Sequence, residues 1–442
     1  MVHCHILLVC FPAQGHINPS LQFAKRLLQL GAKVTFSTSV SAIRRMSQVA
    51  STIPDLTLAP FSDGYDDGWT SAPDVQAFML SIKTFGSEAL TNLIMANENE
   101  GHPFTHMVYS TLVSWAGEVA NQLQIPSTLL WNQPATVFYI YYLYFNKNEI
   151  FTGENNEIIE LPGVPLVLSS SDLPSIMQPS SPAVYSFALT AFKEHFEILD
   201  RAGTKQKVLV NTYDALEFQA LMGIKKYDVM GIGPLVPSAF LDGKDPSDTS
   251  FGGDLIQKTV DYIDWLNSKD KSSVIYLAFG SYFKFSEQQM EEIAKGLIRS
   301  QKPFLWVTRA DNTLDYMKEV EKQGLIVQWC SQLEVLSNPS VGCFMTHCGW
   351  NSCIESLANG VPVVAFPQWT DQLTNAKLIQ DFWKTGLRLA AADGGIVTAE
   401  EIARCLEIIM GGGDRGEDIR KQAQHWKILA KDAVKEATDM FP

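Results

Sequence analysis

One histidine of the chain lies where a general base would be expected. His16 belongs to the run GHINP, after the apolar run Ile6–Phe11 and before an apolar stripe that begins at Leu21. This order predicts a strand, a loop that holds His16 and then a helix, which places the histidine at the carboxyl edge of a sheet. The positive end of the helix dipole disfavours the imidazolium, so His16 would be neutral and able to accept a proton near pH 7. A surface-loop histidine without a chemical role is the alternative interpretation.

The segment Trp329–Gln372 carries a second group of polar residues, which suits an anionic ligand. Its pattern predicts a strand at Gly342–Met345, a tight loop at His347–Trp350 and a helix that ends at Asn359-Gly360. The first backbone N–H groups of such a helix have no acceptor within it, so its N-terminus attracts anions. A phosphate group would therefore fit at this loop.

Side chains near the predicted helix start would add contacts. His347, Asn351 and Ser352 offer donors to an anion. Glu355, one turn into the helix, could hold the two hydroxyls of a ribose. The alternative is structural, because Ser352-x-x-Glu355 also matches a capping box, with Trp350 as a core aromatic residue.

Other patterns argue against a metal or a dinucleotide cofactor. No two aspartates are spaced D-x-D, the pair that usually carries the divalent ion of metal-dependent sugar-nucleotide enzymes. Cys343, Cys348 and Cys353 do not have the spacing of a zinc knuckle. The G-x-G-x-x-G at Gly411–Gly416 follows a predicted helix rather than a strand. Ser281, in the run FGS after another predicted strand, could reach a diphosphate, although any βα turn could have this sequence.

Composition excludes several classes of function. The chain has 442 residues and a net charge of −14, which makes it a poor partner for nucleic acid or an anionic membrane surface. No apolar run approaches the ~20 residues of a membrane span, and no basic region precedes the first apolar run as in a signal peptide. Seven cysteines without a C-x-x-C pair do not form a disulfide framework. We expect a cytoplasmic protein.

The elements that would position these residues alternate between strand and helix. The N-terminal βαβ unit is predicted to end in a strand at Val34–Ser37, and a second alternating series begins with a strand at Val274–Phe279 and a helix at Glu287–Ser300. Further strands of the first series are predicted at Met107–Tyr109, Ser127–Trp131 and Val208–Asn211. This alternation predicts parallel sheets with right-handed crossovers.

Between the two series, residues 233–253 are rich in Gly, Pro, Asp and Ser, which is typical of a linker. We predict an α/β protein with two doubly wound domains that face a cleft, and ligands at the carboxyl ends of the strands. The predicted boundaries are 1–232 for the first domain, 254–419 for the second, and 420–442 for a C-terminal helix that packs back on the first domain.

With these residues in hand, the chain resembles the plant family 1 UDP-glycosyltransferases. Trp329–Gln372 is similar to the C-terminal signature box of that family from its first Trp to its last Gln, and FPAQGHINP lies near the start. FSDGYDDG at 61–68 and the linker GPLVPSAFLDGKDPSDTSF look most like the group with anthocyanin 5-O-glucosyltransferases and the enzymes that glucosylate crocetin or abscisate. The resemblance implies the GT-B fold, with two Rossmann-like domains, and UDP-glucose as co-substrate without a metal or another cofactor.

The resemblance also assigns roles to individual residues. Those expected at the uracil and the ribose are Trp329, Cys330, Gln332 and Glu355. Those expected at the diphosphate are Ser281, His347, Asn351 and Ser352. Trp350 is expected among the donor-binding residues without a more specific role. Those expected at the sugar are Asp371 and Gln372, since a terminal Gln is the usual choice of the family for glucose. Those expected near the acceptor and the sugar are Gly15, Asn132 and Trp369.

The implied reaction is one in-line displacement. His16 would remove the acceptor proton, the oxygen would attack the anomeric carbon, and UDP would leave, which inverts the configuration and gives a β-glucoside or a glucose ester. The acceptor would be a small apolar plant metabolite: a flavonoid or anthocyanin, another phenolic, or a terpenoid or carotenoid carboxylate. We expect it among Phe11–Pro19, Phe85, Phe138–Phe145 and Phe187, although these aromatic residues could equally be core. We expect a monomer with no further partner.

One departure from the family affects the base. The family pairs its His with an Asp, but the matching stretch Met107–Ala120 (MVYSTLVSWAGEVA) has Ser110 at that position. A hydroxyl can orient an imidazole but cannot stabilise its cation as a carboxylate does. Either His16 works with this weaker partner or the acceptor is acidic enough to need little help. Another UDP-sugar as donor, or a non-catalytic UDP-sugar-binding protein, are the remaining alternatives.

Overall fold

The computed structural model describes residues 4–50, 53–68, 75–151, 158–178, 186–201, 205–252, 261–280, 285–308 and 315–439. The chain divides into two compact units. The first unit is made of Met1–Val164, Ile176–Pro237 and Asp245–Ile256. The second unit is made of Pro165–Ser175, Ser238–Lys244 and Gln257–Pro442. Each unit therefore contains stretches that are not adjacent in sequence, and the expected linker 233–253 is shared between them.

The first unit alternates strands and helices. Its strands are β1 (His5–Val9), β2 (Lys33–Ser39), β3 (Leu56–Phe61), β4 (His106–Ser110), β5 (Ser127–Trp131), β6 (Ile159–Glu160), β8 (Lys207–Val210) and β9 (Asp228–Gly231). Its helices are α1 (Gln14–Gln29), α2 (Val40–Ala50), α3 (Val75–Asn99), α4 (Ser114–Gln122), α5 (Ala135–Asn146), α6 (Ser186–Arg201) and α7 (Asp214–Gly223).

The first sheet has seven strands in the order β3-β2-β1-β4-β5-β8-β9. All its pairs are parallel. Every residue of β1 is buried, as expected for a strand that is covered on both faces by crossover helices. Leu8, Val34 and Val108 from neighbouring strands pack against Ile17 and Leu21 of α1 in one apolar cluster. The order reverses at β1 and β4, so their carboxyl ends form the edge at which doubly wound sheets bind ligands.

The second unit repeats this plan. Its strands are β7 (Val167–Leu168), β10 (Val274–Ala278), β11 (Phe304–Val307), β12 (Leu325–Val327), β13 (Val341–Thr346), β14 (Val363–Ala365) and β15 (Gly386–Arg388). Its helices are α8 (Tyr262–Asn267), α9 (Glu287–Ser300), α10 (Asp315–Val320), α11 (Gln332–Ser337), α12 (Trp350–Asn359), α13 (Gln372–Lys377), α14 (Ala399–Met410) and α15 (Asp414–Asp439).

The second sheet is also parallel, with six strands in the order β12-β11-β10-β13-β14-β15. Residues of β10 and β13 are buried throughout. Ile275, Leu277 and Met345 pack against Ile293 and Leu297 of α9 on one face. Two parallel α/β domains were expected, and this expectation is confirmed.

The C-terminal helix begins earlier than predicted. It begins at Asp414 rather than at residue 420, and it packs against α12 and α14 of the second unit. The Gln424 side chain donates to the carbonyl oxygen of Gly360, and the Trp426 indole donates to that of Trp383. Arg420 donates to the carbonyl of Ile409. These bonds, which amphipathic periodicity does not specify, connect the helix to the second unit. They do not test the expectation that it packs back on the first domain, which stays a prediction.

Residues 245–252 are bonded to α1 of the first unit. The Lys25 ammonium lies 2.7 Å from a carboxylate oxygen of Asp248 and donates to the carbonyl oxygen of Ser250. Gln22 donates to the same carboxylate at 2.9 Å. Within the described ranges, no helix is both long and apolar enough to cross a membrane.

Candidate active site

His16 lies in the first turn of α1, close to the carboxyl end of β1. The prediction placed it in a preceding loop, but the helix already begins at Gln14, with Ala13 as its N-cap. The His16 N–H donates to the Ala13 carbonyl at 2.9 Å. The side chain is partly exposed. Burial by the surrounding protein lowers the pKa of His16 to about 4, so the imidazole is neutral at physiological pH.

The hydrogen-bond partner of His16 is Thr111, which directly follows β4. Its Oγ1 lies 3.2 Å from Nδ1 of His16. The Phe11 ring packs against the imidazole, at 5.2 Å between ring centroids and with the planes at 58°. Nε2 of His16 has no hydrogen-bond partner in the described part of the chain. When Thr111 accepts from Nδ1–H, the lone pair of the imidazole is on Nε2, which can take a proton from a ligand.

The prediction that Ser110 orients His16 is wrong. The Ser110 hydroxyl accepts the backbone N–H of Phe11 at 3.0 Å and donates to the Thr111 carbonyl at 3.2 Å. Successive side chains at the end of a strand point in opposite directions, so only one of the two hydroxyls can face the imidazole. That hydroxyl belongs to Thr111.

Asn132 follows β5, the neighbour of β4 in the sheet. It is 6% exposed, and neither polar atom of its amide has a hydrogen-bond partner in the described chain. An unsatisfied buried polar group costs about 1–3 kcal/mol, so a polar group of a ligand would stabilise it. Gly15, by contrast, is an exposed residue of the first turn of α1.

Most of the aromatic run on α5 belongs to the core. Phe138 and Tyr141 are completely buried, and their rings stack on Phe196 and Phe192 of α6. These residues therefore fill the interior of the first unit rather than line an acceptor site. Phe85, on α3, is 48% exposed and available to a ligand.

In the second unit, the predicted donor residues of the described chain follow the carboxyl ends of β12, β13 and β14. His347 follows β13, and burial lowers its pKa to about 4. Gly280 and Gly349 lie close to its ring. A Cβ at position 280 would lie 2.8 Å from His347 Nε2, and a Cβ at position 349 would lie 2.6 Å from it. Gly280 also has φ of 76°, which favours glycine. This close approach explains why glycines occupy both turns.

Helix α12 begins at Trp350, and its N-cap Gly349 has no side chain to cap it. Ser352 is thus the third residue of the helix and Glu355 the sixth, so the capping-box interpretation is wrong. Asn351, the second residue, is partly exposed in the first turn. An anion at this N-terminus is favoured by the helix dipole.

Gln332, the first residue of α11, contacts two other predicted donor residues. Its amide nitrogen donates to Ser352 Oγ at 3.0 Å and to Glu355 Oε2 at 2.9 Å. Glu355 is 4% exposed and held in place by this bond. Trp329 is partly exposed in the loop before α11, and Cys330 is buried with its sulfur 3.4 Å from the Tyr276 hydroxyl.

A turn before α13 carries the predicted sugar residues. Oε1 of Gln372 accepts the backbone N–H groups of Gln368 and Trp369 at 3.0 and 3.1 Å, which leaves its NH₂ group as the donor. Asp371 accepts from Asn375 at 2.7 Å.

Sequence reasoning missed Asn375 and Ser175. The Asn375 amide also donates to the carbonyl oxygen of Cys348 at 2.9 Å, which ties this turn to the His347 loop. Ser175 exchanges two bonds with Thr370, whose φ is 52°: its N–H donates to the Thr370 carbonyl, and its Oγ accepts the Thr370 N–H. No local motif marks either residue, because both act through tertiary contacts.

The remaining predicted site residues are placed as follows. Ser281 lies outside the described residues. Trp350 is buried, 5.9 Å from the Trp383 ring, and Trp369 is partly exposed. All seven cysteines are free thiols; Cys4 is exposed and the other six are buried. In the described chain, no three His, Cys, Asp or Glu side chains are grouped as metal ligands, Cys343, Cys348 and Cys353 included.

Comparison with known proteins identifies the family. A model described as UDP-glucoronosyl and UDP-glucosyl transferase matches residues 254–423. The phloretin 4'-O-glucosyltransferase of Malus domestica is 55% identical over 99% of this chain and 95% of its own. The chain belongs to this family of UDP-glycosyltransferases. The glycosyltransferase is an enzyme of the plant branch that its signature box indicated.

Two further relatives match the predicted group. Anthocyanidin 3-O-glucoside 5-O-glucosyltransferase 1 of Perilla frutescens is 51% identical, covering 99% of this chain and 96% of its own. Crocetin glucosyltransferase, chloroplastic, of Gardenia jasminoides is 51% identical, covering 98% and 94%. The crystal structure of Os79 from O. sativa in complex with UDP has a TM-score of 0.84 and 31% identity, covering 97% of the glycosyltransferase and 95% of Os79. The GT-B fold is confirmed.

Proposed function

We propose that this enzyme transfers glucose from UDP-glucose to a small apolar acceptor with inversion at the anomeric carbon, and that His16 is the general base. The observation that carries the proposal is the neutral, partly exposed imidazole, with Nδ1 on Thr111 and Nε2 available to a ligand. A base whose pKa lies well below neutrality is unprotonated at neutral pH, but it binds the proton weakly. Such a base suits an acceptor that loses its proton readily.

The acceptor class follows from this chemistry and from the relatives. Phenols and carboxylic acids are the acceptors that need least help from a base, and the relatives are named for phloretin, an anthocyanidin glucoside and crocetin. We propose a flavonoid or another phenolic, or a terpenoid or carotenoid carboxylate. Asn132 supports a polar contact in the first unit, since its buried amide otherwise has no partner in the described chain.

For the donor, we propose the contacts that the resemblance implied. Trp329 would stack on uracil, with Cys330 and Gln332 at its edge. Glu355 would accept the ribose hydroxyls, and the start of α12 with His347 would hold the diphosphate. Asp371 and the NH₂ of Gln372 would bind glucose hydroxyls. Developing negative charge on UDP would be stabilised by the dipole of α12, and the sequence lacks a D-x-D pair, so we propose that no metal takes part.

The test is transfer by the purified enzyme from UDP-glucose, UDP-galactose and UDP-xylose to phloretin and crocetin, with products identified by mass. We expect glucosides with UDP-glucose, the β configuration by NMR, and much slower transfer from the other donors. A faster reaction with UDP-galactose or UDP-xylose would make that sugar the donor. No transfer to any acceptor, with UDP bound, would make the chain a UDP-sugar-binding protein instead.

Glu355→Ala tests the donor site in the same assay. A carboxylate on two ribose hydroxyls contributes equally in the ground state and the transition state, so we expect KM for UDP-glucose to rise about tenfold or more with kcat largely retained. Glu407→Ala is the matched control, because Glu407 is exposed on α14. Loss of thermal stability with an unchanged KM would assign Glu355 a structural role.

A further inference from the structure

His195 is a completely buried histidine that the proposed mechanism does not use. It lies on α6, and its ring stacks on Tyr109 of β4, with centroids 5.9 Å apart and planes at 12°. Its Nε2 accepts the backbone N–H of Leu112 at 3.1 Å. Nδ1 is buried and has no hydrogen-bond partner in the described residues. The bond to Leu112 is thus the one polar contact that the ring makes there.

Leu112, the donor of this bond, follows Thr111 and has φ of 68°. A left-handed conformation is unfavourable for leucine by about 1–2 kcal/mol, so the surroundings must hold it. Next to His195 on α6, Glu194 accepts the Ser114 hydroxyl at 2.7 Å. Two successive residues of α6 therefore hold the turn between β4 and α4, and this turn carries the hydroxyl that contacts His16.

The bond to Leu112 requires an unprotonated Nε2, because an N–H group needs a lone pair to accept it. Burial, and to a smaller extent the nearby His16, lowers the pKa of His195 to about 3. His195 is therefore neutral whenever the enzyme is folded and active, and it serves as a permanent acceptor rather than as a second base.

We propose that His195 is a positioning residue: by holding Leu112 in the left-handed conformation, it places the Thr111 hydroxyl on Nδ1 of His16 and so orients the base. This inference rests on the proposed function, in which His16 is the base. The glutamine side chain can present an oxygen acceptor near the position of Nε2, whereas phenylalanine fills the space without an acceptor. These two substitutions separate the hydrogen bond from the packing of the ring.

The test compares His195→Phe with His195→Gln in transfer to a phenol. Misplacing a catalytic group by a fraction of an ångström is costly, so His195→Phe should lower kcat about tenfold. KM for UDP-glucose should change less than about twofold, because the donor residues belong to the other unit. His195→Gln should keep most of kcat. Leu112→Gly should recover part of the loss in the His195→Phe background, because glycine adopts this φ without cost.

A double-mutant cycle shows whether His195 acts through His16. In a His16→Ala background, His195→Phe should lower the residual rate no further, since the group that it orients is gone. An equal loss in both backgrounds, or equal losses for His195→Phe and His195→Gln, would overturn the proposal and make the residue a packing element. Unchanged kcat in His195→Phe would overturn it as well.

If His195→Phe does not fold, as judged by loss of UDP binding, Leu112→Val takes its place. Leu112 is partly exposed, and a β-branched residue resists φ above zero, so this variant disturbs the turn while sparing the core. It should lower kcat with His16 present and not in its absence; any other pattern refutes the proposal. The failure of the proposed function is distinct, because it would appear as an inactive wild type or a fully active His16→Ala.

Discussion

The pKa of His16 sets the pH range in which the proposed base is active. The neutral imidazole is the active form, and burial lowers the pKa to about 4, so the active form persists as the pH falls until the pH approaches that value. We predict that kcat/KM for an aliphatic alcohol, which does not itself ionise in this range, is constant between about pH 8 and pH 5.5 and declines below. His195, which also acts on His16, stays neutral over the same range.

The variant His16→Ala tests whether His16 is the base. Removal of a general base costs typically 10²-fold or more in kcat, and we expect UDP binding measured by calorimetry to be retained. A decline in kcat/KM with a midpoint near 6.5 would show an imidazole as well solvated as a free histidine. A kcat of His16→Ala within a few-fold of the wild type would remove the assignment of the base.

Substitution by Asp at position 111 or at position 110 tests which of the two residues contacts the His16 imidazole. A carboxylate at Thr111 would lie against Nδ1 of His16 and should raise the pKa of that imidazole by favouring its cation. We predict that Thr111→Asp speeds transfer to a weakly acidic alcohol by about tenfold and leaves transfer to a carboxylate acceptor unchanged or slower, because the new anion repels it. Initial rates with both acceptors at several pH values are the measurement.

Ser110→Asp is the matched control, one residue away. Its side chain faces the backbone N–H of Phe11, so we expect no selective gain with the alcohol. A selective gain from Ser110→Asp and none from Thr111→Asp would reverse the assignment.

At the scale of residues, the sequence predicted that His16 and His347 lie near strand ends, but it did not specify every contact that they make. The positions of His16 and of the residues around His347 were predictable because glycines, donors and strand ends follow one another in the chain. Which of two adjacent hydroxyls contacts the imidazole depends on the direction of a side chain at the end of β4, and local sequence does not specify it. Asn375 and His195 carry no motif at all, because their partners are distant in sequence.

Among the elements, the segment Pro165–Ser175 carries a testable stabilising contact within the second unit. Asp172 is 5% exposed, and Arg388 lies 2.6 Å and Lys377 3.7 Å from its carboxylate. Burial opposes ionisation, but the hydrogen bonds from Ser169 and these two cations lower the pKa of Asp172. A lowered pKa means stabilisation that is present above the unfolded pKa and lost as the pH falls through the folded value.

We therefore predict that Asp172→Asn destabilises the second unit at pH 7 by about 1–3 kcal/mol, since it removes the buried carboxylate that faces both Arg388 and Lys377. The difference from the wild type should shrink as the pH falls below about 4. Urea unfolding at both pH values measures this. Asp381→Asn is the control: it removes a half-exposed carboxylate from the same Lys377, and such surface pairs contribute about 0.3–0.5 kcal/mol. Equal effects of the two variants would contradict the prediction.

Two elements were predicted with their boundaries. β5 and α9 match the predicted Ser127–Trp131 and Glu287–Ser300 residue by residue. The start of α1 was placed too late, because Ala13 offers no capping side chain and Pro19 lies inside the helix. An amphipathic pattern indicates which face of a helix is apolar but not its polar partners, and for this reason the bonds of α15 to Gly360 and Trp383 were not predictable.

For the whole molecule, two parallel α/β domains were predictable from the alternation of strands and helices. A single boundary was not, because the assignment of Pro165–Ser175 and Asp245–Ile256 depends on tertiary contacts. Asp172 holds the former to β15 through Arg388, and Asp248 holds the latter to α1 through Lys25. Both contacts join residues that are far apart in sequence. The local composition of the chain does not predict such contacts.

One cysteine of the enzyme, Cys4, is exposed to reagents in solution. Cys4 is exposed just before β1, whereas the other six cysteines are buried, and burial raises the pKa of Cys10, Cys330 and Cys405 to about 12. Thiolates are the species that react with maleimides, so a fluorophore or a surface tether would attach at one position without any engineered cysteine. That position is at the amino end of β1, the opposite end of the strand from His16. The enzyme could thus be immobilised or labelled in one defined orientation with its proposed base left accessible.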